Sequence, residues 1–155
     1  MQKIIAFMLI SIASQLYGQI DSVQLIKPTG LHPIGTITYE WIDVSRELQY
    51  STHVGDKRAI KVQIWYPAKP GATTFKAPYS ALSKDYLKVS TNSNLRPPFS
   101  EKVNNSNIII ISPGRGTEGF LYTAMAEELA SHGFVVASVD KSIQFNSLVM
   151  NSLLI

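Results

Sequence analysis

Alternating apolar and polar positions predict two strands in the first half of the chain. Residues 37–44 alternate in this way, and residues 59–66 repeat the pattern with Ile60 and Ile64 on one side. Pro67 follows, and its missing backbone N–H ends the second strand. The polar residues between the two segments predict the connection of a hairpin.

Two buried strands are predicted in the second half of the chain. An unbroken run of isoleucines within residues 107–112 is typical of a central strand that is covered on both faces. A second apolar strand covers residues 134–139 and ends at Asp140. A helix between them would complete a strand–helix–strand unit, in which the two strands run parallel.

The helix between these strands is predicted from Glu118 to about His132. Thr117 is placed to cap its N-terminus, and Gly133 is a natural residue to follow its C-terminus. One apolar stripe at helical spacing is predicted to face the core, and it consists of Leu121, Met125 and Leu129.

A long connection over residues 68–106 separates the two halves. Structureless loops of this length are unusual in compact domains, and such segments usually carry function or hidden structure. A short helix is predicted over residues 80–89, because Leu82 and Tyr86 stand one helical turn apart. Residues 92–107, which contain several asparagines and prolines, are predicted to be loop.

The N-terminus has the order of features of a secretory signal peptide. Lys3 is followed by an apolar run over residues 4–12, shorter than the roughly 20 residues that span a bilayer, and then by Gly18. We therefore predict a signal peptide over residues 1–18, a secreted or periplasmic location, and no transmembrane span in the mature chain. Residues 141–155 lack a clean period and are predicted to form a divergent tail.

Composition removes several classes of site. The 155 residues include no cysteine, which excludes disulfides, cysteine-bound zinc and a cysteine nucleophile. The net charge of +3 is small and scattered, so a nucleic-acid partner is not expected. No His-Glu-x-x-His or other metal-binding spacing occurs, and we expect neither a metal nor a cofactor.

A glycine-rich turn joins the first of the two buried strands to the helix, and one interpretation of it is a nucleotide site. Gly114, Gly116 and Gly119 spell G-x-G-x-x-G, and Asp140 ends the next strand. This is the layout of a dinucleotide-binding fingerprint, in which bare backbone approaches the pyrophosphate and the acid holds the ribose. An NAD(P)-binding oxidoreductase is therefore one alternative function.

The other interpretation of the same turn is an oxyanion turn. Pro113 removes an N–H at its edge and Glu118 would place a carboxylate beside a pyrophosphate, and both weigh against a nucleotide. In an oxyanion turn, one backbone N–H faces the ester oxygen that becomes negative during acyl transfer. The backbone N–H of Arg115 is the candidate donor, and Gly114 and Gly116 allow the ligand to approach closely.

Four separated blocks of sequence resemble one enzyme family. In chain order they are residues 28–36 (PTGLHPIGT), 62–68 (VQIWYPA), 110–116 (IISPGRG) and 127–140 (EELASHGFVVASVD). Together they resemble the N-terminal portion of platelet-activating-factor acetylhydrolases and of bacterial esterases of the dienelactone-hydrolase type. These are serine esterases of the α/β-hydrolase superfamily, and the resemblance covers residues 27–140.

The resemblance implies that the Arg115 turn supplies half of an oxyanion hole. It also implies further strands after Asp140, which bear a Gly-x-Ser-x-Gly nucleophile, then an acid and a histidine. No such serine motif occurs among the nine glycines of this chain. The histidines that are present are interpreted as solvated or structural: His32, His53 and His132. We therefore expect no catalytic residue within the chain itself.

These patterns predict a truncated α/β-hydrolase sandwich over residues 27–140, with N-terminal antiparallel strands and one parallel strand–helix–strand unit. The predicted function is that of the N-terminal fragment of a secreted carboxylic-ester hydrolase, inactive alone, whose parent family acts on lipid or small acyl esters. A non-catalytic secreted interaction module is a further alternative, and it would unfold cooperatively without esterase activity. The sequence does not indicate an oligomeric state.

Overall fold

The computed structural model describes residues 23–48, 53–72, 74–79, 89–101, 106–114 and 117–140. Its elements are, in chain order, β1 (Val23–Gln24), β2 (Ile34–Glu47), β3 (Lys57–Pro67), β4 (Lys76–Pro78), β5 (Val89–Leu95), β6 (Ile108–Ile111), a 3₁₀ helix (Gly119–Tyr122), α1 (Thr123–Ser131) and β7 (Val135–Asp140). The predicted signal peptide, the tail over residues 141–155 and most of the helix predicted over residues 80–89 lie outside the described residues.

The predicted hairpin is confirmed, and it is longer than its pattern indicated. β2 and β3 pair antiparallel from Ile34 opposite Pro67 to Asp43 opposite Arg58, and a register shift follows before Glu47. The second strand ends at Pro67, as expected. The alternation missed both ends of β2, because its first three residues are all buried and its last three are all exposed, so neither end alternates.

The strand–helix–strand unit is also confirmed. β6 and β7 run parallel, with Ile108 opposite Val135, and α1 lies between them in the chain. β7 pairs antiparallel with β3, so the sheet order is β1-β5-β2-β3-β7-β6, with β4 paired to β5. The described residues thus form the predicted α/β architecture, a mixed sheet in which the antiparallel hairpin of β2 and β3 is joined to the parallel unit of β6 and β7.

The core lies between α1 and one face of the sheet. Trp65 on β3 and Val136 on β7 are fully buried and stand opposite each other in register. Ala126 and Ala130 of α1 pack against them, and their small side chains let the helix approach the sheet closely. Burial of an aliphatic side chain such as Val136 stabilises the fold by about 1.5–3 kcal/mol. Trp65 is therefore a packing aromatic of the sheet.

The helix begins later than predicted, and Thr117 does not cap it. A 3₁₀ helix covers Gly119–Tyr122, and regular α-helix covers Thr123–Ser131. The Thr117 hydroxyl instead donates to the carbonyl oxygen of Gly114 at 2.8 Å. Threonine can bond local backbone in a turn as well as at a helix start, so its presence alone does not fix the boundary. The predicted terminal glycine is confirmed, because Gly133 has a φ of +100° directly after the helix.

The face of α1 that packs on the sheet differs from the predicted apolar stripe. Leu121 is 49% and Met125 47% exposed, and Leu129 is only half-buried. The buried positions carry small or polar side chains, namely Thr123, Ala126, Glu127, Ala130 and Ser131. Leu129 packs against the core, but the stripe prediction was wrong for Leu121 and Met125. It assumes that a glutamate faces water, whereas here the Glu127 carboxylate is hydrogen-bonded inside the protein.

A strand occupies part of the connection that was predicted to be helix and loop. β5 (Val89–Leu95) pairs parallel with β1 and β2 and antiparallel with β4. Its side chains Thr91 and Ser93 are polar and yet buried. The Thr91 hydroxyl, for example, donates to the carbonyl oxygen of Ala77 at 2.6 Å. Hydropathy missed this strand because hydrogen bonds, rather than apolar contacts, satisfy its buried positions.

β6 lies at the end of the sheet rather than in its centre. Ile109 and Ile111 pack against the core, while Ile108 and Ile110 are 69% and 71% exposed. The prediction of a strand covered on both faces is therefore wrong for the part of the chain that the structure describes. A β-branched run does not distinguish the two cases, because such side chains favour strands in either environment.

Candidate functional site

The glycine-rich turn leaves the sheet at the end of β6. The carbonyl oxygen of Gly114 accepts two hydrogen bonds from Thr117, one from the backbone N–H at 3.2 Å and one from the hydroxyl at 2.8 Å. These bonds close a tight turn between the two residues. Arg115 and Gly116, the predicted oxyanion donor and its neighbour, lie outside the described residues, so their role stays a prediction.

The chain returns to the sheet at Gly119. The backbone N–H of Gly119 donates to Oδ1 of Asp140, the last residue of β7. A Cβ at position 119 would lie 2.6 Å from Oγ of Ser138 and 2.8 Å from Oδ1 of Asp140, closer than real Cβ contacts. This glycine is therefore required by close contact between the 3₁₀ helix and β7, rather than by an unusual backbone angle.

Asp140 is partly buried, and its surroundings act on its acidity in opposite directions. Burial raises the pKa of its carboxyl group above the ordinary value, whereas the Gly119 N–H and the positive charge of Lys61 lower it. Burial is the largest of these effects, and the pKa is raised overall. Lys61 stands opposite Asp140 in the pairing of β3 with β7. The negative charge of Asp140, which bonds the turn, is therefore partly balanced by the positive charge of Lys61.

A cavity of about 170 Å³ lies beside Asp140 and the 3₁₀ helix. Its lining combines the aromatic side chains of Tyr79 and Phe120 with the polar side chains of Lys61 and Gln63. A protein cavity of about 150 Å³ is large enough to hold a benzene ring. The cavity is therefore large enough for a ring or a short acyl chain.

The geometry of the turn does not support the dinucleotide interpretation. In that interpretation, the amides of the turn approach a pyrophosphate and Asp140 holds a ribose. Here Asp140 accepts the amide of Gly119, so the acid and the amide satisfy each other. A phosphate near Gly119 would also meet this carboxylate, and like charges repel.

Two of the predicted structural histidines lie at the C-terminal end of α1. His132 follows the helix, and its Nε2 is 3.0 Å from Oε1 of Glu128. His32 lies beside Gly133, which marks the same end. His53 is exposed in the connection between β2 and β3. The structure therefore places His32 and His132 at the opposite end of α1 from the glycine-rich turn.

Sequence reasoning missed two features, one at the turn and one on α1. Asp140 was assigned a direct role as the acid of a nucleotide site, and its bond to Gly119 was not predicted. The available signal was the position of Asp140 at the end of the strand adjacent to β6. The second feature is buried Glu127, which accepts hydrogen bonds from Asn92 and Ser93. The signal there was a glutamate among small residues on one helix face.

Within the ranges that the structure describes, no group of three or more His, Cys, Asp or Glu side chains could hold a metal ion. None of the helices in those ranges is long and apolar enough to cross a membrane.

Comparison with known proteins adds to this geometry. The family model of platelet-activating factor acetylhydrolase, isoform II, matches residues 17–148. Among solved structures, the chain is similar to a ferulic acid esterase from Streptomyces cinnamoneus, with a TM-score of 0.67 and 27% sequence identity. The match covers 77% of this chain and 36% of the esterase, so this chain spans little more than a third of that protein. No curated protein sequence matches the chain.

Proposed function

Because the chain belongs to the platelet-activating factor acetylhydrolase, isoform II family, as its sequence blocks predicted, we propose that it is the N-terminal part of a carboxylic-ester hydrolase. The family is named for platelet-activating factor, and the similar structure is a ferulic acid esterase. Both names support an acyl ester as the substrate class. Lipid or short acyl esters are accordingly the proposed substrates of the whole enzyme.

The observation that carries this proposal is the anchored turn at the carboxyl end of β6. Thr117 closes the turn onto Gly114, and Asp140 holds it at Gly119. Between these anchors, the backbone N–H of Arg115 is the proposed donor to the ester oxygen that becomes negative. A fixed amide stabilises that charge without reorganising, and loss of one such donor costs about 3–4 kcal/mol.

The cavity beside Asp140 supports a substrate with a compact apolar group. Its volume of about 170 Å³ is sufficient for a ring or a short acyl chain. Phe120, which lines the cavity, directly follows Gly119, so a group held there would lie close to the turn. The polar lining residues, among them Lys61, would accommodate an oxygen substituent on that group.

The nucleophile and its histidine are proposed to lie outside these 155 residues. The sequence contains no Gly-x-Ser-x-Gly, and the matched part of the similar esterase is 36% of its length. His32 and His132 lie at the other end of α1 from the turn. The chain alone is therefore proposed to be inactive toward esters.

Export from the cytoplasm is a separate part of the proposal. Lys3, the apolar residues 4–12 and Gly18 occur in the order of a signal peptide. Expression of the chain in a bacterial host, followed by N-terminal sequencing of the exported fraction, tests this assignment. A new N-terminus near Gln19 is expected, and a cytoplasmic chain that begins at Met1 would contradict export.

Two assays on the purified 155-residue chain test the functional proposal. Hydrolysis of p-nitrophenyl acetate is expected to proceed at the buffer rate, and turnover that a serine-reactive phosphonate blocks would contradict inactivity. Titration with NAD is expected to leave the amide resonances of Gly114 and Gly119 unchanged. Saturable shifts of both resonances would show that the turn is a nucleotide site rather than an oxyanion turn.

A further inference from the structure

We propose that Asp140 is a positioning residue, which fixes the C-terminal end of the glycine-rich turn to the sheet through the backbone N–H of Gly119. Its meaning for catalysis rests on the proposed function, whereas the hydrogen bond itself does not. In this role Asp140 does not touch the substrate, and it acts through the backbone of the turn.

Asp140 is placed where the chain enters the turn. Ile111, the last residue of β6, stands opposite Ser138 on β7. Because β6 and β7 run parallel, Asp140, two residues after Ser138, lies level with Pro113, two residues after Ile111. Because side chains alternate along a strand, Ser138 and Asp140 point to the same face of the sheet. This is the face on which Gly119 rests, since both side chains lie against it.

The turn is fixed at its two ends by bonds of different kinds. At the first end, the N–H and the hydroxyl of Thr117 donate to Gly114, and both residues belong to the turn. At the second end, the N–H of Gly119 donates to Asp140, which belongs to β7. Of these contacts, the bond from Gly119 to Asp140 is the one that joins the turn to the sheet. Loss of the Asp140 carboxylate would release that end and leave the first closure in place.

The close contact at Gly119 makes the bond to Asp140 possible. With a Cβ at this position only 2.6 Å from Oγ of Ser138 and 2.8 Å from Oδ1 of Asp140, any larger residue would displace either the 3₁₀ helix or these two side chains. The distance from the N–H to the carboxylate would then increase. Gly119 and Asp140 therefore act as a pair: because Gly119 has no side chain, its N–H lies close enough to Asp140 to form the bond.

The ionised form of Asp140 makes the stronger bond to Gly119, because a charged acceptor roughly doubles the strength of such a hydrogen bond. Lys61 faces Asp140 from β3, Tyr79 lines the same cavity, and Glu118 precedes Gly119 in the chain. Lys61 favours the ionised carboxyl, while burial favours the protonated one and raises the pKa. The bond is therefore expected to weaken as Asp140 takes up a proton.

Fixing this end of the turn matters for an oxyanion donor. A donor must be aimed at the oxygen on which charge develops, and a misplacement of about 1 Å can lower a rate roughly 100-fold. The bond at Gly119 fixes a point close in sequence to Arg115. In the complete enzyme, loss of this bond is therefore expected to lower kcat more than it changes KM.

Nuclear magnetic resonance of the 155-residue chain tests the bond without any need for activity. In the unaltered chain, the Gly119 amide proton and the Asp140 carboxyl carbon are expected to titrate with one common midpoint. This measurement needs no substitution, so it decides the question even if a variant fails to fold. If the chemical shift of the Gly119 amide proton stays constant while Asp140 titrates, the proposal is overturned.

Variants at position 140 separate positioning from general stability. Asp140→Ala is expected to accelerate hydrogen exchange at the Gly119 amide by about tenfold or more and to leave the amides of α1 unchanged. Asp140→Asn retains an Oδ1 acceptor and is expected to keep Gly119 protected, without the pH dependence. Asp43→Ala removes an acid of the β2–β3 hairpin and is the matched control. Hydrogen exchange at the Gly119 amide should be unchanged in this variant.

Unchanged exchange at Gly119 in Asp140→Ala would also overturn the positioning role. Failure of the proposed function has a different signature. Binding of NAD at Gly114 and Gly119, or ester turnover by the chain alone, would change the assignment of the turn. Neither result would alter the common titration of Gly119 and Asp140 in the ligand-free chain.

Discussion

Glu127 and Ser93 join α1 to β5 through two hydrogen bonds. The fully buried carboxylate of Glu127 accepts the backbone N–H of Ser93 at 2.8 Å and its hydroxyl at 2.6 Å. Asn92 donates to the same carboxylate through its backbone N–H and its side-chain amide, each at 2.9 Å. A buried charge is tolerated only when it is paired or hydrogen-bonded, and these donors meet that need.

Substitution of Glu127 should therefore destabilise the fold. Glu127→Ala leaves the N–H groups of Asn92 and Ser93 without this acceptor, and each unsatisfied group costs about 1–3 kcal/mol. Glu127→Gln should cost less, because one acceptor oxygen remains. Chemical denaturation measures both losses, with the exposed Glu101→Gln as a control within about 0.5 kcal/mol of the unaltered chain. Equal stability of Glu127→Ala and this control would contradict the account.

Two glycines of the same turn should respond differently to alanine. Gly119→Ala places a Cβ 2.6 Å from Oγ of Ser138, and such overpacking typically costs about 1–3 kcal/mol. Gly114→Ala would meet only Oγ1 of Thr117 at 3.7 Å, an ordinary contact, and should leave stability unchanged. Thermal unfolding of the two variants measures the difference. If they unfold at the same temperature, Gly119 is not in the close contact described.

Substitution along β6 should reveal which face of the strand is covered. Ile110→Lys adds a charge at a residue that is 71% exposed, so it should be tolerated and should reduce aggregation through the strand edge. Ile109→Lys places the same charge against the core and should destabilise the fold strongly. Unfolding curves and light scattering measure these outcomes. Equal destabilisation by both variants would show that both faces of the strand are covered.

The contact between Thr29 and Glu128 should make stability depend on pH. Hydrogen bonds from the Thr29 hydroxyl and backbone N–H, with a smaller effect of His132, hold the pKa of Glu128 below its ordinary value of 4.5. A lowered pKa means that the bonds stabilise the fold above pH 4.5 and that this contribution is lost as the pH falls below it. The difference in unfolding free energy between the unaltered chain and Glu128→Gln should therefore shrink on acidification. A difference that is constant with pH would contradict this expectation.

The sequence predicted the elements whose burial is apolar. Alternation in β3 predicted the antiparallel hairpin, because apolar burial on one face leaves a periodic trace in sequence, and the isoleucine run predicted the strand β6 of the parallel unit, although not which of its faces is covered. Gly133 was likewise predictable, since a positive φ after a helix favours glycine. The glycine-rich turn could also be located, because its glycines lie between a predicted strand and a predicted helix.

Elements that are held by buried polar contacts could not be predicted. β5 is a strand because Thr91 and Ser93 find hydrogen-bond partners in distant segments, and hydropathy carries no record of such partners. The buried face of α1 depends in the same way on Glu127. The bond from Gly119 to Asp140 depends on tertiary packing, because it joins residues on either side of a helix. Sequence patterns report burial of apolar groups and say little about which polar groups meet.

An oxyanion donor at Arg115 can be tested in a chimera, in which residues 23–140 replace the matched segment of the Streptomyces cinnamoneus ferulic acid esterase. Arg115→Pro removes the backbone N–H, whereas Arg115→Ala keeps it. In chimeras that unfold cooperatively, Arg115→Pro is predicted to lower kcat for ester hydrolysis about 100- to 1,000-fold, while Arg115→Ala stays close to the parent. Equal activity of the two variants would contradict the account.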